Sequence, residues 1–332
     1  MNTKQYTDVY IASCVQDGGI LRYRLGRDGS FDFIDKFDLP TPNYMVSDGS
    51  AVYVTLQTPF EGSSESGIVK LRLSEDGTLS RDGEIYPTGG RSSCHLAFSG
   101  DDVYVANYST GSVTKLGNPP LCHEGRGVNP VRQEAPHCHC TFFSPDKKYV
   151  LVCDLGLDTV FVYDRELREV SRAKVPDGEG CRHLVFSRDG KFVYVVNELG
   201  CSVSTFAYEE GRLTYLSTLP TRTYKEHEGP DKGSAIKLSA SGKLLFITNR
   251  GEDEVVTLRI KRKGKVLKVI SRVDTEGTEP RDFSLLHSER FGLVTNQFSD
   301  SVVLYRVSKF PFWRLRRVRK LDIPAPLCVM EI

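Results

Sequence analysis

The chain has 332 residues, 39% of them hydrophobic, with 44 Lys and Arg against 43 Asp and Glu for a formal net charge of +1. Near-neutrality gives no global pull toward nucleic acid. No apolar stretch approaches the ~18 residues of a membrane span, and Met1-Asn2-Thr3-Lys4-Gln5 lacks the apolar core of a signal peptide, so neither a spanning nor an exported chain is expected. The 9 cysteines, an odd number without small-scaffold spacing, read as reduced thiols of a cytoplasmic protein.

Seven short apolar runs follow one another along the chain, each ending in a small or polar residue. They are Tyr10-Ile11-Ala12-Ser13, Tyr53-Val54-Thr55-Leu56, Tyr104-Val105-Ala106-Asn107, Leu151-Val152-Cys153-Asp154, Tyr194-Val195-Val196-Asn197, Phe246-Ile247-Thr248-Asn249 and Leu293-Val294-Thr295-Asn296. Their last residues, at 13, 56, 107, 154, 197, 249 and 296, give steps of 43, 51, 47, 43, 52 and 47. A period in the forties, carried by β-branched and aromatic residues, predicts a propeller of four-stranded blades. Segments opening at Pro42, Ser93, His137, Cys181, Ser234 and Pro280 predict a strand before six of the runs. Turns such as Asp189-Gly190 and Ser241-Gly242 join the two, because glycine accepts the positive φ of a tight hairpin. Gly111-Ser112-Val113, Asp158-Thr159-Val160, Cys201-Ser202-Val203 and Asp300-Ser301-Val302 open a third strand, and turns such as Asp28-Gly29 and Asp76-Gly77 lead to a fourth.

A seventh copy of the leading segment, Pro326-Leu327-Cys328-Val329-Met330, stands at the C-terminus with no run after it, whereas the Tyr10 run has none before it. Pairing the two protects both edges. The expected fold is therefore an all-β, seven-bladed β-propeller with four antiparallel strands per blade, the first blade closed by the C-terminal strand, in one domain over residues 1–332. Two basic runs, Arg259 to Lys265 and Arg314 to Lys320, fall where outer hairpins belong, and charged outer strands discourage edge pairing.

Antiparallel pairing puts the start of each innermost strand and the end of the second strand at the same rim. That rim gathers His95, His137, His139, Arg182, His183, Arg281 and Asp282 from strand starts, and Asn107, Asp154, Asn197, Glu198, Asn249, Arg250, Asn296 and Gln297 from strand ends. The first two blades carry no charge there, an asymmetry expected of a site facing one side of the channel. The regular recurrence of Asn107, Asp154, Asn197, Asn249 and Asn296 also suits turn capping. His95 and His183 suit hydrogen bonds to neighbouring backbone, and Arg281 with Asp282 suits an inter-blade ion pair.

Pro136-His137-Cys138-His139, Asp154-Leu155-Gly156-Leu157-Asp158, Cys181-Arg182-His183, Asn197-Glu198-Leu199, Asn249-Arg250-Gly251 and Pro280-Arg281-Asp282-Phe283, in this order, resemble the seven-bladed lactonase family. That family includes the propeller-type 6-phosphogluconolactonase and a carboxymuconate-lactonizing enzyme. The resemblance runs over all seven units. It implies hydrolysis of a sugar lactone without metal or cofactor, by a His, two Arg and a Glu that match His137 or His139, Arg182, Glu198 and Arg250. Cys181 and Cys138 replace prolines usual in the family, and the first blade lacks its Gly-Thr-Tyr, departures that bear on pocket shape.

Lactone hydrolysis asks for a base near neutral pH and a fixed cation on the oxyanion. His137 or His139 is the expected base, Arg182 the oxyanion partner, Glu198 the group that holds Arg or His, and Arg250 the partner of a substrate phosphate or carboxylate. Arg281, His183, Asn107 and Gln297 complete the candidate substrate contacts. The expected partner is thus an anionic sugar lactone, with no nucleic acid, membrane or obligate protein partner. On a regular strand the two His of His137-Cys138-His139-Cys140 face one way and the two Cys the other, so they are not expected to close on one zinc. A protein-binding scaffold without a charged pocket and a lactonizing cycloisomerase with a diacid preference are the competing readings.

Overall fold

The computed structural model describes residues 5–60, 62–223, 229–308 and 313–332. Seven four-stranded antiparallel sheets stand around a central channel. Blade 1 is Pro326–Glu331, Tyr6–Ser13, Gly19–Gly26 and Phe31–Asp38, from the channel outward. The innermost strands of blades 2 to 7 are Pro42–Ser47, Ser93–Ser99, Cys138–Phe143, Cys181–Phe186, Lys232–Leu238 and Pro280–Leu286. Closure occurs as the sequence pattern requires, with Tyr10 opposite Met330 and Ile11 opposite Val329. The basic run from Arg314 lies on the outermost strand of blade 7, Arg314–Asp322.

Alternation along each strand sends apolar side chains into the gaps between adjacent blades. Leu151, Val160, Val162, Leu184 and Val195, for example, form one core between blades 4 and 5. Tyrosines tie neighbouring blades together, because a buried hydroxyl needs a partner. Tyr10 donates to the carbonyl of Gly77 at 2.6 Å, Tyr104 to Arg165 at 2.6 Å and Tyr194 to Gly264 at 2.9 Å.

Period-2 alternation fails in one place that decides the site. Every innermost strand carries a β-bulge just after its start, and the displaced residues are Leu327, Asn43, Cys94, His139, Arg182, the Ser234 and Ala235 pair, and Arg281. A bulge leaves its extra residue outside the ladder and re-aims the side chain. In three blades a threonine of the second strand takes up the backbone N–H that follows: Tyr44 donates to Thr55 Oγ1 at 3.0 Å, Ala235 to Thr248 at 2.9 Å and Asp282 to Thr295 at 3.0 Å.

The bulge corrects the expected facing of His137-Cys138-His139-Cys140. With His139 displaced, Cys138 packs into the core shared with Tyr104 and Val152, whereas Cys140 packs with Cys153 and Leu184 into the next one. The two cysteines therefore point to opposite faces, not the same one.

Blade 3 is irregular at its edge. Its outermost strand is only Leu121–Cys122, and residues 123–137 fold over the rim instead. Buried Gln133 organises this loop from within, accepting from the Asn129 N–H at 3.0 Å and donating to the Leu155 carbonyl at 2.9 Å. Gly156 lets the loop lie down, since a Cβ there would overlap the Ala135 carbonyl oxygen.

Candidate active site

Glu198 follows the second strand of blade 5, and its backbone is pinned on both sides. Its N–H donates to the Gly180 carbonyl at 2.7 Å and its carbonyl accepts from Gly233 at 2.9 Å. The carboxylate is thereby held where four cationic or basic groups meet. Oε2 lies 3.1 Å from Arg182 Nε, 2.8 Å from Arg250 and 3.9 Å from His139 Nε2, and Oε1 lies 2.7 Å from Arg132. Burial works to raise the Glu198 carboxyl, but Arg250, Arg182, His139 and Arg132 outweigh it and hold the group well below the usual carboxylate range. It is an anion at any physiological pH.

The same crowding acts on the bases. Burial first, and then the guanidinium of Arg182, hold His139 well below the ordinary imidazole value, so it is neutral and able to accept a proton. Its Nδ1 lies 3.7 Å from the Cys94 sulfur, whose thiol burial pushes up to about 12. His137 is placed differently. It stacks on Tyr108 with ring centroids 4.4 Å apart, its Nδ1 lies 3.1 Å from the Tyr108 carbonyl and its Nε2 lies 3.2 Å from Glu134. Both of its nitrogens are committed, and the ring steadies Tyr108, which in turn accepts from Arg132 at 3.1 Å.

Arg250 is buried with both terminal NH2 groups engaged, whereas its Nε has no partner among the described residues. Beyond Glu198, one of its NH groups donates to Glu279 at 3.0 Å and the other to the Gly233 carbonyl at 3.0 Å. It braces two carboxylates more than it reaches for a ligand. Arg281 is the freer cation, with a quarter of its side chain exposed and its nearest carboxylate, Glu279, 3.8 Å away. Burial, with Arg250 and Arg182 beside it, pushes the guanidinium of Arg281 down to about 9.

These groups surround a cavity of about 430 Å³ bordered by Tyr108, Arg132, His139, Glu198, Lys232, Arg250, Glu279 and Arg281. It narrows inward to a gap of about 20 Å³, room for roughly one water, among Asn43, Cys94, Arg182, His183 and Leu327. Around the cavity and its inner gap, five cations (Arg132, Arg182, Lys232, Arg250, Arg281) face three carboxylates (Glu198, Glu279, Asp282), and such an excess favours an anionic ligand. A larger cleft of about 650 Å³ lies elsewhere, among Arg188, Lys243, Lys261, Arg262 and Lys263. Those side chains are exposed and oppose no buried carboxylate, unlike the groups around the smaller cavity.

Of the candidates read from sequence, His139, Arg182, Glu198, Arg250 and Arg281 come together around the cavity, and His183 lies just beneath. His183 sits 3.4 Å from Arg182 and 5.2 Å from the His139 ring, and burial followed by Arg182 holds it well below the ordinary value. Asn107 does not join them. It is buried and spent inside its blade, accepting from Ser93 at 2.7 Å and donating to Ser112 and Thr114. Gln297 is half-buried beside Glu279, to whose carbonyl its backbone donates at 3.0 Å, and does not border the cavity. Arg281 and Asp282 do not pair, because Asp282 turns to Lys237 at 3.3 Å. His95 does take a backbone partner, the Thr141 N–H at 3.4 Å. Arg132, Tyr108, Glu279, Lys232 and Cys94 were not foreseen. The cations outnumber the carboxylates around the cavity and its water-sized inner gap, beside a neutral histidine and a fixed guanidinium on one carboxylate.

The chain belongs to the lactonase family of seven-bladed β-propellers, which it matches over residues 8–331. Lactone hydrolysis is therefore the reaction class that the family supports for this chain. An uncharacterized protein of Staphylococcus saprophyticus is 29% identical over 322 residues, covering 90% of each chain. Among solved structures, the periplasmic gluconolactonase of Pseudomonas aeruginosa superposes with a TM-score of 0.89 at 27% identity, over 98% of this chain and 99% of that one. A Bacteroides fragilis protein provisionally assigned as a 6-phosphogluconolactonase gives 0.89 at 25% identity, over 100% and 99%.

Proposed function

We propose that the protein opens a sugar lactone carrying an anionic group, of the 6-phosphogluconolactone type, by hydrolysis without a metal at the reacting centre. The observation that carries this reading is the Glu198 cluster, in which a neutral histidine and a guanidinium share one carboxylate at the floor of a cation-rich cavity. His139 takes a proton from a water as that water's oxygen bonds to the lactone carbonyl carbon. The carbonyl oxygen becomes an oxyanion beside Arg182. Collapse then breaks the ring C–O bond, the proton held on His139 passes to the departing alkoxide to give a hydroxyl, and the new carboxylic acid releases its own proton to solvent to become a carboxylate. Glu198 orients His139 and Arg182, Arg250 braces Glu198, and Arg281 with Lys232 receives the substrate's phosphate or carboxylate. The nine unpaired cysteines suit a reducing cytoplasm.

The test is a hydrolysis screen of paired free and phosphorylated sugar lactones, followed by proton release and corrected for spontaneous opening. Turnover above background, faster for the phosphorylated member of each pair, is expected. No enzymatic opening of any lactone would overturn the reading and favour a binding scaffold.

A further inference from the structure

Behind the candidate active site, at the junction of blades 3 and 4, a second cluster serves no step of the proposed reaction. His123 opens the loop over the rim, Cys138 begins the innermost strand of blade 4 and Asp154 ends its second strand. Their donor atoms converge. His123 Nδ1 lies 2.7 Å from Asp154 Oδ2 and 3.4 Å from the Cys138 sulfur, and that sulfur lies 3.7 Å from Oδ2. The Cys138 and Asp154 side chains are wholly buried and 3% of the His123 side chain is exposed.

We propose that His123, Cys138 and Asp154 form a structural site for a divalent, borderline-soft cation, Zn²⁺ by class.

Charge is the first argument. Asp154 is a fully buried carboxylate with no Lys or Arg paired to it among the described residues, and buried charges are paired or coordinate metals. A dication with one thiolate and one carboxylate sums to zero, which suits a buried place. The donor set is the second argument, since sulfur, imidazole nitrogen and carboxylate oxygen are the ligands zinc takes. Orientation of the ligands from behind is the third. Asp154 Oδ1 is fixed by the N–H groups of His137 at 2.8 Å and Leu157 at 3.2 Å, and His123 Nε2 lies 2.9 Å from the Tyr163 hydroxyl. Without an ion the 2.7 Å contact needs the ring proton on Nδ1; when an ion binds, that proton moves to Nε2 toward Tyr163 and Nδ1 presents its lone pair to the cluster, the arrangement usual behind a ligating histidine.

Ligand atoms at zinc distances stand roughly 3.3 Å apart or more, so the 2.7 Å approach of Nδ1 to Oδ2 must open by about half an ångström while the two sulfur distances need little change. Coordination as a thiolate releases the Cys138 S–H proton to solvent. A water would take the fourth position; the adjoining cavity of about 410 Å³ is bordered by His123, Tyr163 and Glu169 but not by Cys138 or Asp154. A bound ion would staple residues 123–137, and with them Arg132, to blade 4.

The test uses the full chain, stripped with a chelator and titrated with Zn²⁺ and separately with Co²⁺. One equivalent of each should bind. Co²⁺ should show a thiolate-to-metal charge-transfer band, and Zn²⁺ should raise the melting temperature. The near-isosteric Cys138→Ser variant, checked for a parental fold by circular dichroism, should lose the band and the thermal shift, and His123→Gln should weaken binding at least tenfold. A stripped parent that takes up no more metal than Cys138→Ser would overturn the proposal and leave a hydrogen-bonded Asp154–His123 pair. A band that persists in Cys138→Ser would equally overturn it, placing the thiolate elsewhere, for example at exposed Cys122.

Discussion

Glu198→Gln keeps the shape of the central side chain and removes its charge. Glu198, Arg182 and Arg250 are 4, 5 and 3% exposed at their side chains, so little solvent screening discounts their attraction. Arg132, at 32%, is screened and counts for less. Removing one partner of a buried ion pair typically costs about 3–5 kcal/mol because the remaining charge is stranded, and here two buried guanidinium groups are stranded together. In a chain of this size that cost translates to a fall of roughly 5–10 °C in melting temperature. The loss should depend on pH in a stated direction. The folded-state value of Glu198 is depressed, so its contribution is fully present above the ordinary carboxylate value of about 4.3 and disappears as pH falls through the lower folded value. Thermal melts of parent and variant at pH 7 and at successively lower pH should therefore converge in acid. Turnover of the variant at pH 7 should fall with the stability, since His139 and Arg182 lose the group that orients them. A variant melting within a degree of the parent at pH 7 would refute the claim that this carboxylate holds the cluster together.

Three further outcomes are expected. The acid limb of kcat/KM should lie below about pH 6.5, because His139 is depressed and stays neutral as pH falls toward that value; a limb at or above it would point to an unperturbed histidine. Arg281→Ala should raise KM for a phosphorylated lactone about tenfold or more while changing that of the free lactone far less, as loss of one charge-assisted contact implies; equal effects on both would remove Arg281 from anion binding. Deleting residues 324–332 removes buried Leu327, Cys328 and Val329 and exposes the edge of Tyr6–Ser13, so the truncated chain should aggregate or melt far lower, and a parental melting curve would contradict closure through that strand.

The blades were legible because each repeats the same local instructions, an apolar run, a polar stop and a glycine turn, and local instructions survive in a single sequence. The rim assignment was legible for the same reason, since antiparallel pairing alone brings Arg182 near Glu198. What escaped was set by pairing between strands. Nothing in Cys138-His139-Cys140 announces that His139 leaves the ladder, and reading strict alternation through it turned both cysteines the same way. Arg132 escaped because it lies in a stretch where the repeat lapses. The outermost strand of blade 3 shrinks to two residues while the step from Asn107 to Asp154 stays at 47, and that surplus was a signal that a loop had replaced a strand. Asn107 misled in the opposite sense, because, like Asn197 with Ser202 and Ser204, it satisfies its own blade through Ser112 and Thr114.

The bulge also explains how seven equivalent units carry a one-sided site. It forms in all seven blades whichever side chain is displaced, and in three of them Thr55, Thr248 and Thr295 of the second strand support it. The displaced position is therefore free to vary without disturbing the ladder. Blades 1 to 3 place Leu327, Asn43 and Cys94 there, blades 4, 5 and 7 place His139, Arg182 and Arg281, and blade 6 places the small Ser234 and Ala235. The small pair matters as much as the charged ones. It leaves room for Arg182 to reach the Ser234 carbonyl at 2.9 Å and for Arg250 to reach Gly233, so both guanidinium groups are anchored from behind before either meets a ligand. An anchored cation loses little freedom when charge develops in front of it, and that is the physical condition for stabilising an oxyanion in preference to a neutral carbonyl.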